Sequence, residues 1–263
     1  MQTIRHTPEL SRILELPRRR AEEWRSELTE QFSDALKTPA GKMQLRPAQA
    51  LLLHDIGTYG GGFCMADVGQ GKTIPSLLAP YVLESQRPLL VLRASLIRKT
   101  RDEMEELRKH WRIPNNIYLY SYEMLGRVQA YRELEVYQPD LIVADETQWL
   151  KNRKAAVTRR VARYMHDHPE TRFVALSGTV MKKSLMDFAH VLRWCLKDGA
   201  PVPKTVEETE EWSLALDEKV AEESRFHPGA LLKLCEPADQ GESDYESARR
   251  GFRRRLLETP GVV

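Results

Sequence analysis

The chain has 263 residues, of which 41% are hydrophobic, and its 40 lysines and arginines nearly balance 38 acidic residues. This length and apolar content suffice for a globular protein with a sizeable core. The formal net charge of +2 excludes binding to nucleic acid through overall charge, so any such binding must come from local basic patches.

The N-terminal segment, residues 1–42, has a polar helical pattern, and we predict a helical appendage there. Its charged start, "MQTIRHTPELSR", lacks the apolar core of a signal peptide. No later run approaches the roughly 18 apolar residues of a membrane-spanning helix, so we expect a cytoplasmic protein. Three widely spaced cysteines without a CxxC pair argue against a zinc ribbon and a disulfide framework.

From Gly62 onward, short apolar runs alternate with helical patterns. Five such runs are "GFCMA", "PLLVL", "NIYLY", "DLIVA" and "RFVAL". Short, almost wholly apolar runs separated by helices are typical of parallel strands that are buried on both faces. The sequence therefore predicts an α/β fold with a mostly parallel central sheet flanked by helices.

A glycine-rich turn follows the first of these runs. The turn "VGQG", Val68 to Gly71 with Gly69 and Gln70 between them, leads into "KT" and a helical pattern. Glycines allow backbone angles that turn successive N–H groups into one concavity, and a helix N-terminus adds a positive dipole end. Lys72 would reach the β- and γ-phosphates of a nucleoside triphosphate, and the Thr73 hydroxyl would bind Mg²⁺. The alternative is a structural turn between strand and helix.

A buried apolar strand ends in paired acids in "DLIVADE". Charges at the carboxyl edge of a sheet are costly, and ligands of open α/β folds bind at that edge. Asp145 would hold magnesium through water, and Glu146 would orient and deprotonate the water that attacks the phosphate. These residue types predict a site that hydrolyses a nucleoside triphosphate with the help of Mg²⁺.

Four segments together resemble the motifs of superfamily 2 helicases and ATPases in order and spacing. They are "LRPAQ" at 45–49, "ADVGQGKT" at 66–73, "DLIVADETQWLKN" at 140–152 and "FVALSGTV" at 173–180. The pattern is most similar to the Swi/Snf-type branch of double-stranded DNA translocases, in which alanine is usual at the position of Ala66. The resemblance covers about residues 43–198 and implies the first RecA-like, P-loop lobe of a two-lobe motor.

This resemblance also implies contacts with the base and with the acidic motif. Gln49 would read the edge of adenine and so select ATP, with Arg46 against the base; without the resemblance, "LRPAQ" is only a helix start with proline in its first turn. Ser177 and Thr179 match the small hydroxyls that link the acidic motif to the nucleic-acid side. Alternatively, these two hydroxyls bond to their own backbone in a turn.

The acidic motif departs from the family pattern after Glu146. The family usually has Asp-Glu-Ala-His, whereas Thr147 and Gln148 stand here. An amide can still couple the nucleotide to the neighbouring loop by hydrogen bonds. We expect Gln148 at the cofactor site, with altered coupling geometry.

Two further segments, "VLRAS" at 91–95 and "YSYEML" at 120–125, lie where the family contacts the phosphates of one DNA strand. Hydroxyls and backbone N–H groups suit such contacts. The candidates for nucleic-acid binding are Arg93, Ser95, Ser121 and Tyr122. Arg93 and Ala94 stand where the family usually has alanine and proline, so Arg93 either adds a phosphate contact or is simply solvated.

The segment "KNRKAAVTRRVAR", residues 151–163, has six basic residues and no acidic residue. Such a charge density suits a phosphate backbone, and Lys151, Arg153 and Lys154 are the candidates nearest the acidic motif. The alternative is a solvated helix face.

Residues 199–263 predict a helical extension and a linker toward a second lobe that this sequence lacks. The run "ARRGFRRRL" at 248–256 follows no predicted strand and resembles the basic segment that precedes the second lobe in the family. A motor of this kind needs that lobe, in cis or in trans, to supply an arginine to the transferring phosphate.

Two functions remain open from the sequence. The first is the ATP-binding lobe of a DNA-dependent ATPase that translocates on double-stranded DNA, with slow hydrolysis in the absence of a second lobe. The second is an ATP-responsive module that binds DNA or a partner protein without turnover of its own. The presence of Glu146 favours chemistry, whereas the missing lobe favours binding alone.

Overall fold

A five-stranded parallel sheet forms the centre of the computed structural model, which describes residues 2–19, 26–66, 69–178 and 184–263. The strands run in the order β1-β5-β4-β2-β3, and every neighbouring pair is parallel. This sheet confirms the predicted α/β fold. The strands are β1 (Gly62–Cys64), β2 (Pro88–Leu92), β3 (Tyr118–Ser121), β4 (Leu141–Asp145) and β5 (Arg172–Leu176).

Helices follow or precede each strand, as crossover connections between parallel strands require. Several begin at side-chain caps: the Thr7 hydroxyl accepts from Leu10 N at the start of α1, and the Ser243 hydroxyl accepts from Glu246 N at the start of α11. The helices are α1 (Pro8–Glu15), α2 (Ser26–Leu36), α3 (Pro47–Tyr59), α4 (Thr73–Val82), α5 (Ile97–Leu107), α6 (Tyr122–Leu125), α7 (Glu133–Tyr137), α8 (Ala156–Asp167), α9 (Ala189–Leu196), α10 (Val206–Leu216) and α11 (Asp244–Leu257).

Each face of the sheet has its own hydrophobic core. Successive strand residues point to opposite faces, so Leu89 and Val91 of β2 lie in one core and Leu90 and Leu92 lie in the other. Helices α1 and α6 to α11 contribute to the first core, and α2 to α5 contribute to the second. Burial on both faces is the reason that the strands have no polar alternation in the sequence.

The two chain ends share the first core with the sheet. Leu10 and Ile13 of α1, Trp212 of α10 and Leu256 of α11 are almost completely buried in the same cluster as Phe173 of β5. Apolar residues on both sides of the boundaries predicted at residues 42 and 198 thus share one core, and the boundaries themselves stay a prediction. Among the described residues, no helix is both long and apolar enough to cross a membrane.

The last residues lie along the free side of β1. Phe63 N donates to the carbonyl oxygen of Gly261 (2.7 Å), and Met65 N donates to that of Val263 (2.6 Å). Asp55 holds this segment through the N–H of Gly261 (2.8 Å) and forms a buried ion pair with Arg19. The predicted linker is therefore packed beside the strand that leads into the glycine-rich turn.

Candidate nucleotide-binding site

The sheet topology collects the predicted site residues at one edge. Strands β1, β4 and β5 all end there, followed by the glycine-rich turn, by Glu146 and by Ser177. Strand β5 lies between the other two, and Ser177 N donates to Cys64 O (2.9 Å), which extends the β1–β5 pairing by one step. The carboxyl edge of a parallel sheet is where open α/β folds bind ligands.

The glycine-rich turn has the backbone that its residue types predict. Gly69 and Gly71 have φ angles of 86° and 77°, a region that favours glycine. A Cβ atom at Gly71 would lie 2.6 Å from Nε2 of Gln49, so a side chain at this position would collide with its neighbour. Gln70 is exposed, and Val68 lies outside the described residues. The conformation at positions 69 and 71 therefore favours glycine, which is the backbone expected of a phosphate-binding turn.

Lys72 points back over this turn toward the acidic motif. Its Nζ donates to the carbonyl oxygen of Ala66 (2.9 Å) and lies 3.6 Å from Oε1 of Glu146. The side chain is only 9% exposed, so its charge acts in a weakly screened environment. Thr73 is the first residue of α4, which puts its hydroxyl at the helix N-terminus beside Lys72.

Asp145 is a mostly buried carboxyl group at the end of β4. Burial and the adjacent negative charge of Glu146 raise its pKa to about 6, although Lys72 and the N–H of Glu146 act in the opposite direction. Its Oδ1 accepts from Glu146 N (3.1 Å). Such a shift means that the ionised form lacks compensation in the protein, which is typical of groups that bind a cation or react.

Glu146 adopts a strained backbone conformation. Its φ and ψ are both 55°, in the left-handed region, which costs a non-glycine residue about 1–3 kcal/mol. The conformation aims its carboxylate at Lys72 on one side and at Gln148 on the other. Strain of this kind is found where a site requires a particular side-chain direction.

A hydrogen-bond relay connects Glu146 with the loop after β5. Gln148 Nε2 donates to Oε2 of Glu146 (2.6 Å), and the Ser177 hydroxyl donates to Oε1 of Gln148 (2.8 Å). The amide at position 148 thus joins the two loops with one donor and one acceptor. Thr179, the second hydroxyl of the predicted pair, lies outside the described residues.

Gln49 ties the "LRPAQ" segment to the phosphate turn. Its Oε1 accepts from Arg46 N (2.8 Å), and its Nε2 donates to the carbonyl oxygen of Gly71 (2.8 Å). Arg46 is exposed, and its Nη1 contacts Gly69 O at 3.4 Å. A second N–H and a second lone pair of the amide are available for adenine. The recognition of adenine by Gln49 stays a prediction.

The residues at this edge fit a magnesium nucleotide by their chemistry. A hydroxyl at Thr73 and a carboxylate at Asp145 are the hard oxygen donors that Mg²⁺ prefers. The incompletely compensated charge of Asp145 and the glycine-specific backbone of Gly69 and Gly71 are the structural observations behind this fit.

The predicted nucleic-acid residues differ in their placement. Arg93 and Ser95 are exposed after β2. Ser121 and Tyr122, however, are buried, with their hydroxyls in use within the protein: Ser121 caps α6 by accepting from Met124 N (3.0 Å), and Tyr122 donates to Asp145 O (2.7 Å). Both hydroxyls are thus used within the protein, and a contact of these residues with DNA stays a prediction from the sequence.

The basic segment after the acidic motif is mostly exposed. Lys151 and Lys154 are exposed and Arg153 is half-buried. Arg159 and Arg163 of α8 are also exposed, whereas Arg160 donates to the carbonyl oxygen of Leu125. The DNA contact of this segment stays a prediction.

Arginines of α11 serve the fold. Arg249 donates to Leu216 O (2.7 Å), Arg250 pairs with Glu246, and Arg254 pairs with Asp239 and Glu258. Arg255 is completely buried and donates to the carbonyl oxygens of Ile13, Leu16 and Pro17. These four guanidinium groups are thus committed to contacts within the chain.

Sequence reasoning missed three residues that shape the acidic motif. The Thr147 hydroxyl lies 3.0 Å from the carbonyl oxygens of both Ala144 and Leu176, which joins the ends of β4 and β5. His190 of α9 donates from Nε2 to Leu150 O (2.9 Å), and burial lowers its pKa to about 4, so it is neutral. Trp149 stands on the exposed side of the same turn. Only the departure at Thr147 was visible as a signal in the sequence.

A scan against models of protein families and a search of curated protein sequences both find no match. A search of solved structures finds the SWI2/SNF2 ATPase core of Sulfolobus solfataricus in complex with double-stranded DNA, with a TM-score of 0.50 and 18% identity over 85% of this chain. This chain covers 45% of that chain. The similarity shows a shared fold, an α/β architecture of the RecA-like type.

Proposed function

We propose that this chain is the ATP-binding lobe of a DNA-dependent ATPase that translocates on double-stranded DNA. The observation that carries the proposal is the meeting of Lys72, on the glycine-rich turn, with Glu146, after β4, at 3.6 Å. A lysine that reaches phosphates and a carboxylate that orients water are the two side chains that phosphoryl transfer to water needs at one place. The shared fold with an ATPase core supports the same conclusion.

Each site residue has a role in this proposal. The backbone of the turn and Lys72 would hold the phosphates, and the contact of Lys72 with Glu146 would give way to contact with the nucleotide. Thr73 and Asp145 would hold Mg²⁺, which supplies charge neutralisation at the phosphates. Glu146 would orient and deprotonate the attacking water, and the relay through Gln148 to Ser177 would keep its carboxylate in place.

Double-stranded DNA is the proposed partner. The fold neighbour was solved in complex with double-stranded DNA. In this chain, the exposed basic side chains Arg93, Lys151 and Lys154 follow β2 and β4 on the same sheet edge as the nucleotide site or just beyond it. Phosphate contacts from such side chains position DNA without reading its sequence.

A second candidate is an ATP-responsive binding module with no turnover of its own. The commitment of Arg249, Arg250, Arg254 and Arg255 to contacts within the chain favours it, because none of these four then serves as an arginine for the transferring phosphate. Loss of such an arginine costs about 10³ to 10⁵ in rate. Both candidates agree that the chain alone binds ATP; the first expects slow hydrolysis without a second lobe, and the second expects none.

Calorimetry with ATP and magnesium tests the shared part of the proposal. Lys72→Ala should weaken binding by about 100-fold or more, because a charge-assisted phosphate contact is lost from a desolvated site. Lys99→Ala is the matched control, since Lys99 is 69% exposed on α5 and contacts Glu103. Equal affinity of Lys72→Ala and the unsubstituted chain would refute the nucleotide site.

Hydrolysis in the presence of DNA and a second RecA-like lobe, added in trans or fused, separates the two candidates. An ATPase lobe should then show DNA-stimulated turnover that Glu146→Gln abolishes while ATP binding persists. Absence of any turnover under these conditions, with ATP binding intact, would favour the binding module.

A further inference from the structure

Three side chains form a continuous column between the protein surface and the acidic motif. The guanidinium of Arg93 lies 5.7 Å from the centre of the Trp149 ring. Trp149 in turn stacks on Tyr122, with ring centres 6.1 Å apart and planes inclined by 8°. The hydroxyl of Tyr122 donates to the carbonyl oxygen of Asp145 (2.7 Å). The column thus joins the ends of β2, β3 and β4.

The inner end of the column fixes one particular peptide plane. The carbonyl group of Asp145 belongs to the peptide bond that precedes Glu146, so its direction sets the φ angle of Glu146. That angle is +55°, which a glutamate rarely adopts without support. Tyr122 is almost completely buried, and its hydroxyl donates to the Asp145 carbonyl oxygen at 2.7 Å. The Tyr122 hydrogen bond therefore supports the conformation that aims Glu146 at the nucleotide site.

The outer end of the column is open to solvent. Trp149 is 40% exposed, and Arg93 is exposed at the loop after β2. A guanidinium over an indole face keeps its N–H groups free to bind a phosphate while it retains the ring contact. The loop itself is tied to the next one, because Ala94 N donates to Oε2 of Glu123 at the start of α6 (2.9 Å). A phosphate held by Arg93 would thus restrain both the loop after β2 and the start of α6, which this hydrogen bond joins.

We propose that Arg93, Trp149 and Tyr122 couple DNA binding to the geometry of the acidic motif, with Trp149 and Tyr122 as positioning residues for Glu146. This inference rests on the proposed function. A DNA phosphate on Arg93 would hold the guanidinium on Trp149, hold Trp149 on Tyr122 and so stabilise the Asp145–Glu146 peptide in its observed direction. Coupling between two sites is reciprocal, so DNA should tighten nucleotide binding by the same factor by which nucleotide tightens DNA binding.

The test measures that coupling factor at equilibrium. The affinity of the full chain for a non-hydrolysable ATP analogue with magnesium is measured with and without a saturating short DNA duplex. The reverse experiment measures the affinity of the chain for the duplex with and without the ATP analogue. We expect about fivefold tightening or more in both directions, within the usual range for coupled sites. Equal affinities with and without the second ligand would overturn the proposal that the column couples the two sites.

Variants then separate coupling from packing. Trp149→Ala should reduce the coupling factor to about one, whereas Trp149→Phe, which keeps an aromatic face, should retain most of it. Tyr131→Ala is the control, because Tyr131 is another exposed aromatic residue, outside the column, at 65% exposure. If Trp149→Ala unfolds at a much lower temperature than the unsubstituted chain, the coupling factor is measured in Arg93→Gln instead. Arg93 is exposed, and its substitution should also reduce the coupling factor to about one.

The outcomes also distinguish this inference from the proposed function. If the unsubstituted chain binds both ligands with coupling, and the coupling survives in Trp149→Ala and Arg93→Gln, the column is wrong and the ATPase lobe stands. If the unsubstituted chain binds no nucleotide, so that Lys72→Ala has no effect either, both proposals are wrong.

Discussion

Two buried aspartates, one on a helix and one at the end of a strand, are treated differently by the structure. Asp55, on α3, accepts from Arg19, from Gly261 N (2.8 Å) and from Nδ1 of His54 (3.3 Å). Asp145, at the end of β4, accepts from Glu146 N and lies next to a second carboxylate, so its pKa rises to about 6. One carboxylate is satisfied by the protein itself, and the other is left with unused capacity for a cation.

This difference distinguishes a structural charge from a functional one. A buried charge that is fully partnered holds chain segments together, here the residues near Arg19 and the segment at Gly261 against β1. A buried charge that lacks partners destabilises the folded protein unless a ligand supplies them. Replacing each aspartate by asparagine should therefore have effects of opposite sign on stability.

The largest effect is expected for Asp55→Asn. The substitution removes the carboxylate that pairs with the buried Arg19 guanidinium, and removal of one partner of a buried ion pair costs about 3–5 kcal/mol. Urea unfolding should show this loss in the free energy of unfolding. Asp34→Asn is the control, because Asp34 pairs with Lys37 while 74% exposed and should change stability by less than about 0.5 kcal/mol. A change at Asp55 as small as that of the control would contradict its structural role.

Asp145→Asn should stabilise the folded protein at pH 7. A pKa raised from 3.8 to about 6 means that the folded state disfavours the ionised carboxyl, at about 1.4 kcal/mol for each pKa unit. We expect a gain of about 1–3 kcal/mol at pH 7. Stability falls as pH rises from about 4 to 6, so the gain should vanish at about pH 2.5, below both pKa values, where the carboxyl is protonated in both states. Urea unfolding at both pH values checks this; a loss of stability at pH 7 would show that Asp145 is satisfied within the protein.

The pH dependence of nucleotide binding is the third expected effect. Magnesium binding requires ionised Asp145, so the affinity for magnesium nucleotide should fall by up to about tenfold for each pH unit below 6. Asp145→Asn should bind magnesium nucleotide more weakly at pH 7, and its affinity should change less with pH. The pH dependence that remains in this variant measures the protonation of the nucleotide itself. Parallel profiles for the two proteins would remove Asp145 from the metal site.

Gln148→Ala should have the smallest effect. It removes the link between Glu146 and Ser177, and a hydrogen bond of this kind contributes about 1 kcal/mol, or roughly fivefold in rate. Single-turnover hydrolysis with enzyme in excess measures the change. Gln148→His introduces an imidazole at this position. Because an imidazole titrates at about pH 6–7 and an amide does not, the rate of this variant should depend on pH in that range. A pH-independent rate in Gln148→His would indicate that the relay does not influence Glu146.

The sequence by itself determined the sheet and indicated which residues form the candidate site. Five apolar runs became five parallel strands because strands buried on both faces leave a continuous apolar signal. Gly69, Gly71 and Lys72 were predictable because glycine spacing and a following helix specify a phosphate-binding turn locally. Asp145 and Glu146 were predictable because acids at the end of a buried strand are costly without a function.

Only the tertiary structure decided how distant segments meet. No local pattern brings Arg93, Trp149 and Tyr122 together, since they follow three different strands, and no pattern buries Ser121 and Tyr122. The polar character of the N-terminal segment and the charge of α11 suggested peripheral helices. In the structure, Leu10 and Ile13 of α1 share a core with α11, and Arg255 of α11 donates to the carbonyl oxygen of Ile13. Burial of a long cationic side chain depends on backbone carbonyls supplied from far along the chain, and composition and periodicity do not encode such contacts.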